Sequence, residues 1–222
     1  CFGDVRGLFG GTASEVVVPA ARVIGVDADL GDKAVLLALA ATAHHAAPVT
    51  GGALAPELII GHGVLGRLIA RLAVSTGGAA PVVWETNPAR QGGALGYRVY
   101  DPADDQRRDY KRICDVSGDA TLLDALVQRL APGGEIVLAG FYSERLSFAF
   151  PAAFMREATF RIAAQWKPAD LTAVTQLIRN RRLSLDGLVT HHSAVSDAPA
   201  AYATAFGDPA CRKMALDWRP NC

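Results

Sequence analysis

Apolar positions along the chain repeat with two alternating periods. Glu57 to Ile60 is a short strand-like run, after which Val64, Leu65, Leu68, Ile69 and Leu72 recur at three- and four-residue steps. That switch predicts a strand feeding a helix, with Arg67 and Arg71 on the opposite face of the helix. An Ala/Leu-rich helix over Lys33 to His45 precedes it. Beyond it Pro81 to Trp84 reads as a strand, and "NPARQGGALGYRVYD" as a short helix, a glycine C-cap near Gly96 and a strand at Tyr97 to Tyr100. Arg112 to Val116 is a further strand. "ATLLDALVQRLAPGG" is an amphipathic helix closed by Pro132-Gly133-Gly134, and "EIVLAGF" follows as a strand. Strands alternating with helices of about ten residues predict βαβ units and a parallel sheet with helices on both faces, the α/β doubly wound class.

Both ends depart from this alternation. A glycine-rich loop opens the chain, and Glu15 to Pro19 and Arg22 to Val26 read as strands in need of partners. The opening, without a methionine, is read as the remainder of a longer protein. At the other end "ATFRIAAQW" predicts a strand, Ala169 to Arg181 a helix, Leu185 to Thr190 a strand, Ser196 to Phe206 a helix and "CRKMALDW" a last strand.

Composition narrows the function classes. The 222 residues include 22 basic and 22 acidic side chains, a balance that offers nucleic acid no basic footprint. Half are hydrophobic, yet the longest apolar stretch, "AVLLALAATAHHAA", is too short for a membrane span. A soluble cytoplasmic protein is the expectation. Cys1, Cys114, Cys211 and Cys222 show no C-x-x-C spacing, so reduced thiols are expected and no structural zinc site.

The candidate chemistry lies in "ELIIGHGVLGRLIARLAV". Gly61-His62-Gly63-Val64-Leu65-Gly66 has the G-x-G-x-x-G spacing of a dinucleotide fingerprint, between a strand and a helix as that motif requires. Gly61 would turn the chain, Gly63 would let the backbone approach a pyrophosphate, and Gly66 would let the helix pack on the sheet. The next strand ends in Glu85, 19 residues after Gly66, where a carboxylate can bind an adenosine ribose and repel a 2′-phosphate. That favours NAD, although Arg90 could pair with the phosphate of NADP. Thr86, Val116, Ser117, Gly140 and Phe141 fall at the carboxyl ends of neighbouring strands and complete the expected cofactor site. A methyltransferase, or a binding module without catalysis, can carry a similar glycine loop. The helix–strand return of the carboxy-terminal segment speaks against the methyltransferase.

The order of "GGTASEVVVPAARVIGV", "LLALAATAHHA", "LIIGHGVLGRL", "CDVSGDATLLDALVQRLAPGGEIVLAGF", "LIRNRRLSLDGLVTHH" and "DPACRKMALDW" resembles the medium-chain dehydrogenases/reductases over nearly the whole chain. The resemblance implies a Rossmann domain over 31–165. It assigns 1–30 to the end of a GroES-like catalytic domain and 166–222 to a return segment completing that domain. It also implies a homodimer joined at sheet edges. By the same alignment Lys213 would reach the cofactor phosphates, and Ala38 stands where zinc-dependent members carry a ligand. No metal is therefore expected, and no catalytic residue is assigned, the proton-handling group being expected upstream. The zinc-free quinone or enoyl reductases of the superfamily, linked to NADPH, are the alternative.

The likeness is stronger still to one branch, which acts in bacteriochlorophyll biosynthesis. That branch implies NAD-linked oxidation of the 3-(1-hydroxyethyl) group of a bacteriochlorophyllide to acetyl, with peripheral contact to the photosynthetic membrane. Tyr142 and Trp166, which could stack on a flat macrocycle, and His44 at a pocket edge are the candidate substrate residues.

Overall fold

In the computed structural model, which describes residues 12–49 and 54–219, the main elements in chain order are α1 (Leu37–Ala46), β1 (Leu58–Ile60), α2 (Val64–Ser75), β2 (Val82–Trp84), α3 (Pro88–Gln91), β3 (Arg98–Tyr100), β4 (Tyr110–Asp115), α4 (Leu123–Arg129) and β5 (Leu130–Leu138). They continue with α5 (Phe150–Met155), β6 (Thr159–Ile162), α6 (Pro168–Arg179), β7 (His191–Ala194), α7 (Ala198–Gly207) and β8 (Met214–Asp217). Six strands form a sheet in the order β3-β2-β1-β4-β5-β6, every pair parallel. This is the Rossmann order, whose switch point lies between β1 and β4. β7 and β8 make a separate parallel pair.

The pleat of the strands divides the core. Ile59, Val83, Cys114 and Val137 point to one face and pack under α1, α2 and α6. Leu58, Ile60, Trp84, Ile113, Ile136 and Leu138 point to the other and pack under α4 and α5. Successive side chains along a strand alternate faces, so a sheet covered on both sides needs apolar residues at every position. The continuous run "LII" of β1 is that signature. Burial pushes the Cys114 thiol up to about 12, as suits a core residue.

Several expectations from the sequence need correction. Glu15 to Pro19 and Arg22 to Val26 are not strands; Ala20–Arg22 is a short 3-10 turn, and Val17, Val23 and Ile24 are exposed. An extended run becomes a strand only by pairing, and no described residue pairs with either run. The opening glycine-rich loop, Cys1 and Cys222 lie outside the described residues. Leu185 to Thr190 is also not a strand: Leu185 and Leu188 are buried from a loop, and pairing starts at His191. Apolar character reported burial there, not strand geometry.

α4 stops at Arg129, before the Pro-Gly-Gly segment, which lies inside β5 as a register shift against β4. α3 ends at Gly92, not near Gly96, which instead leads into β3. The aromatic stretch after β5 contains an unanticipated short helix, α5. The arginines of α2 are buried rather than solvated: Arg67 is 0% and Arg71 6% exposed. Burying a charged side chain is costly unless its donors find partners. Arg67 bonds to the backbone carbonyls of His62, Arg90, Gly92 and Gly93, whereas Arg71 bonds to that of Ser184 through Nη1 and its buried Nε has no hydrogen-bond partner among the described residues.

Candidate cofactor site

The fingerprint turn sits at the switch point, where the carboxyl ends of β1, β2 and β4 meet. A cleft of about 460 Å³ opens there, lined by Ile60, Gly61 and Gly63, by Trp84, Glu85, Thr86 and Arg90, and by Val116 and Ser117. The three glycines differ in what holds them. Gly61 has φ +99°, and a Cβ there would meet the Ser117 backbone at 3.4 Å. On Gly66 a Cβ would lie 1.9 Å from the Gly61 carbonyl oxygen, so the fold itself demands glycine. At Gly63 a Cβ would meet nothing within 4 Å. No fold contact requires glycine at Gly63, and the cleft beside it has room for a close-lying ligand.

Gly63 is also the N-cap of α2, with no side-chain cap, so the first-turn amides are left to a ligand or water. Amides and dipole together favour an anion there. A pyrophosphate therefore fits: glycine where it would approach, uncapped amides at the helix start, and an acidic residue further along the cleft. When bound, a nicotinamide dinucleotide supplies this site with a hydride acceptor.

Glu85 is held by two amides. Its Oε2 accepts from His62 N at 3.1 Å and its Oε1 from Asn87 N at 2.9 Å. Gln91 donates to the Glu85 backbone carbonyl at 2.8 Å, tying α3 to the end of β2. Arg90 lines the same end of the cleft and donates to the Pro209 carbonyl at 3.2 Å. At the opposite end, the loops after β4 and β5 abut. A Cβ on Gly140 would sit 3.0 Å from Gly118 N, and the amides of Ala139 and Gly140 donate to the Asp115 carbonyl at 2.9 and 3.0 Å.

Asp115, fully buried, was not anticipated. Its Oδ1 accepts from both the amide and the hydroxyl of Ser117, at 2.9 and 2.7 Å, and so braces the turn that lines the cleft. Burial pushes its carboxyl above the ordinary range, against the opposing pull of the Ser117 bonds. Trp84, Pro102, Leu122 and Arg129 also line the cleft. The Arg129 guanidinium lies 5.0 Å from the Trp84 ring centroid, and the indole N–H donates to Asp105 at 2.7 Å. Burial would raise the Asp105 pKa, but bonds from Tyr110, the Arg107 amide and Trp84 outweigh it and hold the carboxyl below its ordinary value.

Other expected site residues lie elsewhere. Val64 and Leu65 pack against the core from the first turn of α2, and Phe141 is 92% exposed. Lys213 borders a different groove, with Tyr202, Phe206 and Trp218. Its neighbour Arg212 is the residue that reaches the loop beside the cleft, near Gly93. His44 is buried, not at a pocket edge: its Nδ1 lies 2.7 Å from Asp170 Oδ1, while His45 Nδ1 lies 3.0 Å from Oδ2 of the same carboxylate. Tyr142 and Trp166 are half-buried and pack against different cores, Tyr142 donating to the Asp115 carbonyl at 3.3 Å. Ala38 is exposed at the start of α1, and no three described His, Cys, Asp or Glu residues group as metal ligands. No described helix is long and apolar enough to cross a membrane.

No protein-family model matches the chain. It is, however, 56% identical over 220 residues to 2-desacetyl-2-hydroxyethyl bacteriochlorophyllide A dehydrogenase of Rhodobacter capsulatus, covering 99% of this chain and 70% of the relative. The chain belongs to the bacteriochlorophyllide a dehydrogenase family. The counterpart from Cereibacter sphaeroides is likewise 56% identical, over 98% of this chain and 68% of its own length. Among solved structures, the chain resembles one named a short chain alcohol dehydrogenase, from Escherichia coli CFT073, complexed with NADH. The TM-score is 0.77 at 19% identity, over 90% of this chain and 64% of that one, a likeness of fold. As a member of that family the chain is an oxidoreductase.

Proposed function

We propose that the chain belongs to an NAD-dependent dehydrogenase that oxidises the 3-(1-hydroxyethyl) group of a bacteriochlorophyllide to acetyl. The observation that carries this reading is the 56% identity over nearly the whole chain to dehydrogenases named for that substrate. Within the site, Gly61, Gly63 and the first turn of α2 would hold the pyrophosphate, and Glu85 the adenosine ribose. Val116, Ser117 and Gly140 would flank the nicotinamide end. The chain's own contribution is to fix these groups in position and keep the cofactor in a near-attack geometry.

NAD is favoured over NADP because the Glu85 carboxylate, held by two amides, would face the 2′-phosphate. The proposed division is 1–30 and 166–222 with a catalytic domain, and 31–165 as the nucleotide-binding domain. A homodimer joined along β6, acting in the cytoplasm, completes the proposal.

Incubation of the purified protein with the hydroxyethyl bacteriochlorophyllide and either NAD or NADP tests it. Conversion to the acetyl pigment with matching NADH formation, and much slower conversion with NADP, is the expected result. Equal turnover with both nucleotides would remove the cofactor assignment; no conversion, in a protein that binds NADH, would remove the substrate.

A further inference from the structure

His62, the first of the three non-glycine positions inside the fingerprint, is 1% exposed, yet its ring is fully engaged. Its Nδ1 lies 2.7 Å from the carbonyl oxygen of Arg90, which can only accept, so Nδ1 carries the proton. Nε2 is then the bare nitrogen, and it accepts a hydrogen bond from the Tyr97 hydroxyl at 2.9 Å. The two rings meet edge to face, 5.5 Å apart at 90°. Arg67 works on the same loop from below. It donates to the carbonyls of His62 at 2.9 Å, Arg90 at 2.7 Å, Gly92 at 2.8 Å and Gly93 at 3.1 Å.

The inward-facing carbonyls of Arg90, Gly92 and Gly93 thus find their partners in two side chains of the fingerprint and α2. Buried carbonyls demand such partners, so the two side chains select the loop's conformation. Arg90 and Glu85 stand at the cleft end of this loop, and the His62 amide itself donates to Glu85. Burial, reinforced by the Arg67 guanidinium, holds the imidazole pKa down to about 4, which keeps the ring neutral.

We propose that His62 is a positioning residue for cofactor choice: through the Arg90 carbonyl it fixes the loop that sets Glu85 and Arg90 against the ribose. The proposal rests on the nicotinamide-cofactor reading above. It predicts that His62 variants change the ratio of NADH to NADPH affinity, which a general loss of stability would leave alone. In His62→Ala the Arg90 carbonyl loses the imidazole donor and keeps only Arg67. In His62→Asn the side-chain amide can still donate to the Arg90 carbonyl, and Tyr97→Phe removes the bond to Nε2, and with it the hydroxyl's contact to Arg71, but leaves the Nδ1 bond in place.

The test combines nitrogen-15 NMR of the ligand-free protein with NADH and NADPH titrations followed by fluorescence. The Nδ1–H tautomer should persist unprotonated from about pH 7 to about pH 5. The NADH/NADPH affinity ratio should fall by about fivefold in His62→Ala, the worth of one hydrogen bond. It should stay within about twofold of wild type in His62→Asn, with Tyr97→Phe in between. An unchanged ratio in His62→Ala, a ratio in His62→Asn as low as in His62→Ala, or the other tautomer would overturn the proposal. Should His62→Ala not fold, the Asn and Phe variants decide it by the same ratio. A wild-type protein that binds neither nucleotide would instead sink the cofactor reading, and this proposal with it.

Discussion

The backbone N–H of His62 donates to Oε2 of Glu85 across 3.1 Å, so the glycine turn and the acid at the end of β2 are joined before any cofactor arrives. The two sequence signals that mark a dinucleotide site are therefore one structural unit. A carboxylate already held by amides loses little freedom when it accepts ribose hydroxyls, which is the advantage of preorganisation.

Removing the acid should change nucleotide choice. In Glu85→Ala, NADH binding should weaken by about tenfold, while NADPH, freed from charge repulsion, should weaken less or tighten. Fluorescence titration with both nucleotides measures this. Equal weakening of both would mean that Glu85 does not face the ribose.

The glycines should separate stability from binding. Gly66→Ala places a Cβ 1.9 Å from a backbone oxygen and should cost more than about 2 kcal/mol of stability. A Cβ at Gly63 meets no protein atom within 4 Å, so Gly63→Val should cost about 1 kcal/mol or less. Yet Gly63→Val should weaken NADH binding by more than about tenfold, because its side chain enters the pyrophosphate space. Urea unfolding and NADH titration of both variants test the contrast. Unchanged affinity in a folded Gly63→Val protein would refute the loop assignment.

Legibility followed range. The β1–turn–α2 unit, the glycines and Glu85 could be read because each signal is local, within a strand, a turn or a fixed spacing. The bracing of Ser117 by Asp115 is also local, but only burial distinguishes that aspartate from an ordinary turn residue. Arg129 and Arg212 reach the cleft region from distant elements, and nothing in their local sequence reports it. Arg67 misled for a related reason: helical periodicity assigns a face, while a loop far along the chain decides whether that face is covered. His44 and His45, adjacent on α1, converge on one carboxylate, each ring nitrogen meeting a different oxygen of Asp170, a partner on α6 that nothing in their local sequence reports.

That carboxylate should give the fold an acid-sensitive joint between α1 and α6. Burial would raise the Asp170 pKa, but the Lys167 amide at 2.8 Å and the two histidines outweigh it, leaving it below the ordinary value. A depressed folded pKa contributes stability that is complete above the unfolded value, near 3.9, and is lost as pH falls through the folded pKa. Asp170→Asn should therefore cost about 1–3 kcal/mol at neutral pH. The difference from wild type should shrink below about pH 4. Urea unfolding at a series of pH values measures it, and a pH-independent difference would contradict the assignment.

Assembly should occur through the sheet edge. Among the described residues β6 pairs with β5 on one side only, and Ile162 on it is 77% exposed, with Phe154 and Met155 of α5 at 66% and 78%. An open edge beside apolar side chains favours pairing with a second copy about a two-fold axis. Light scattering should report a dimer, and Ile162→Arg should shift it toward monomer. A monomeric wild type at micromolar concentration would rule this edge out as an interface.

The central claim is that hydrogen passes directly from the carbinol carbon of the hydroxyethyl group to a nicotinamide seated in the fingerprint cleft. Substrate carrying deuterium on that carbon, incubated with the protein and NAD, tests it by mass spectrometry of the reduced nucleotide. The account predicts one deuteron in NADH for each acetyl group formed. Acetyl product with unlabelled NADH, or with deuterium released to solvent, would contradict it.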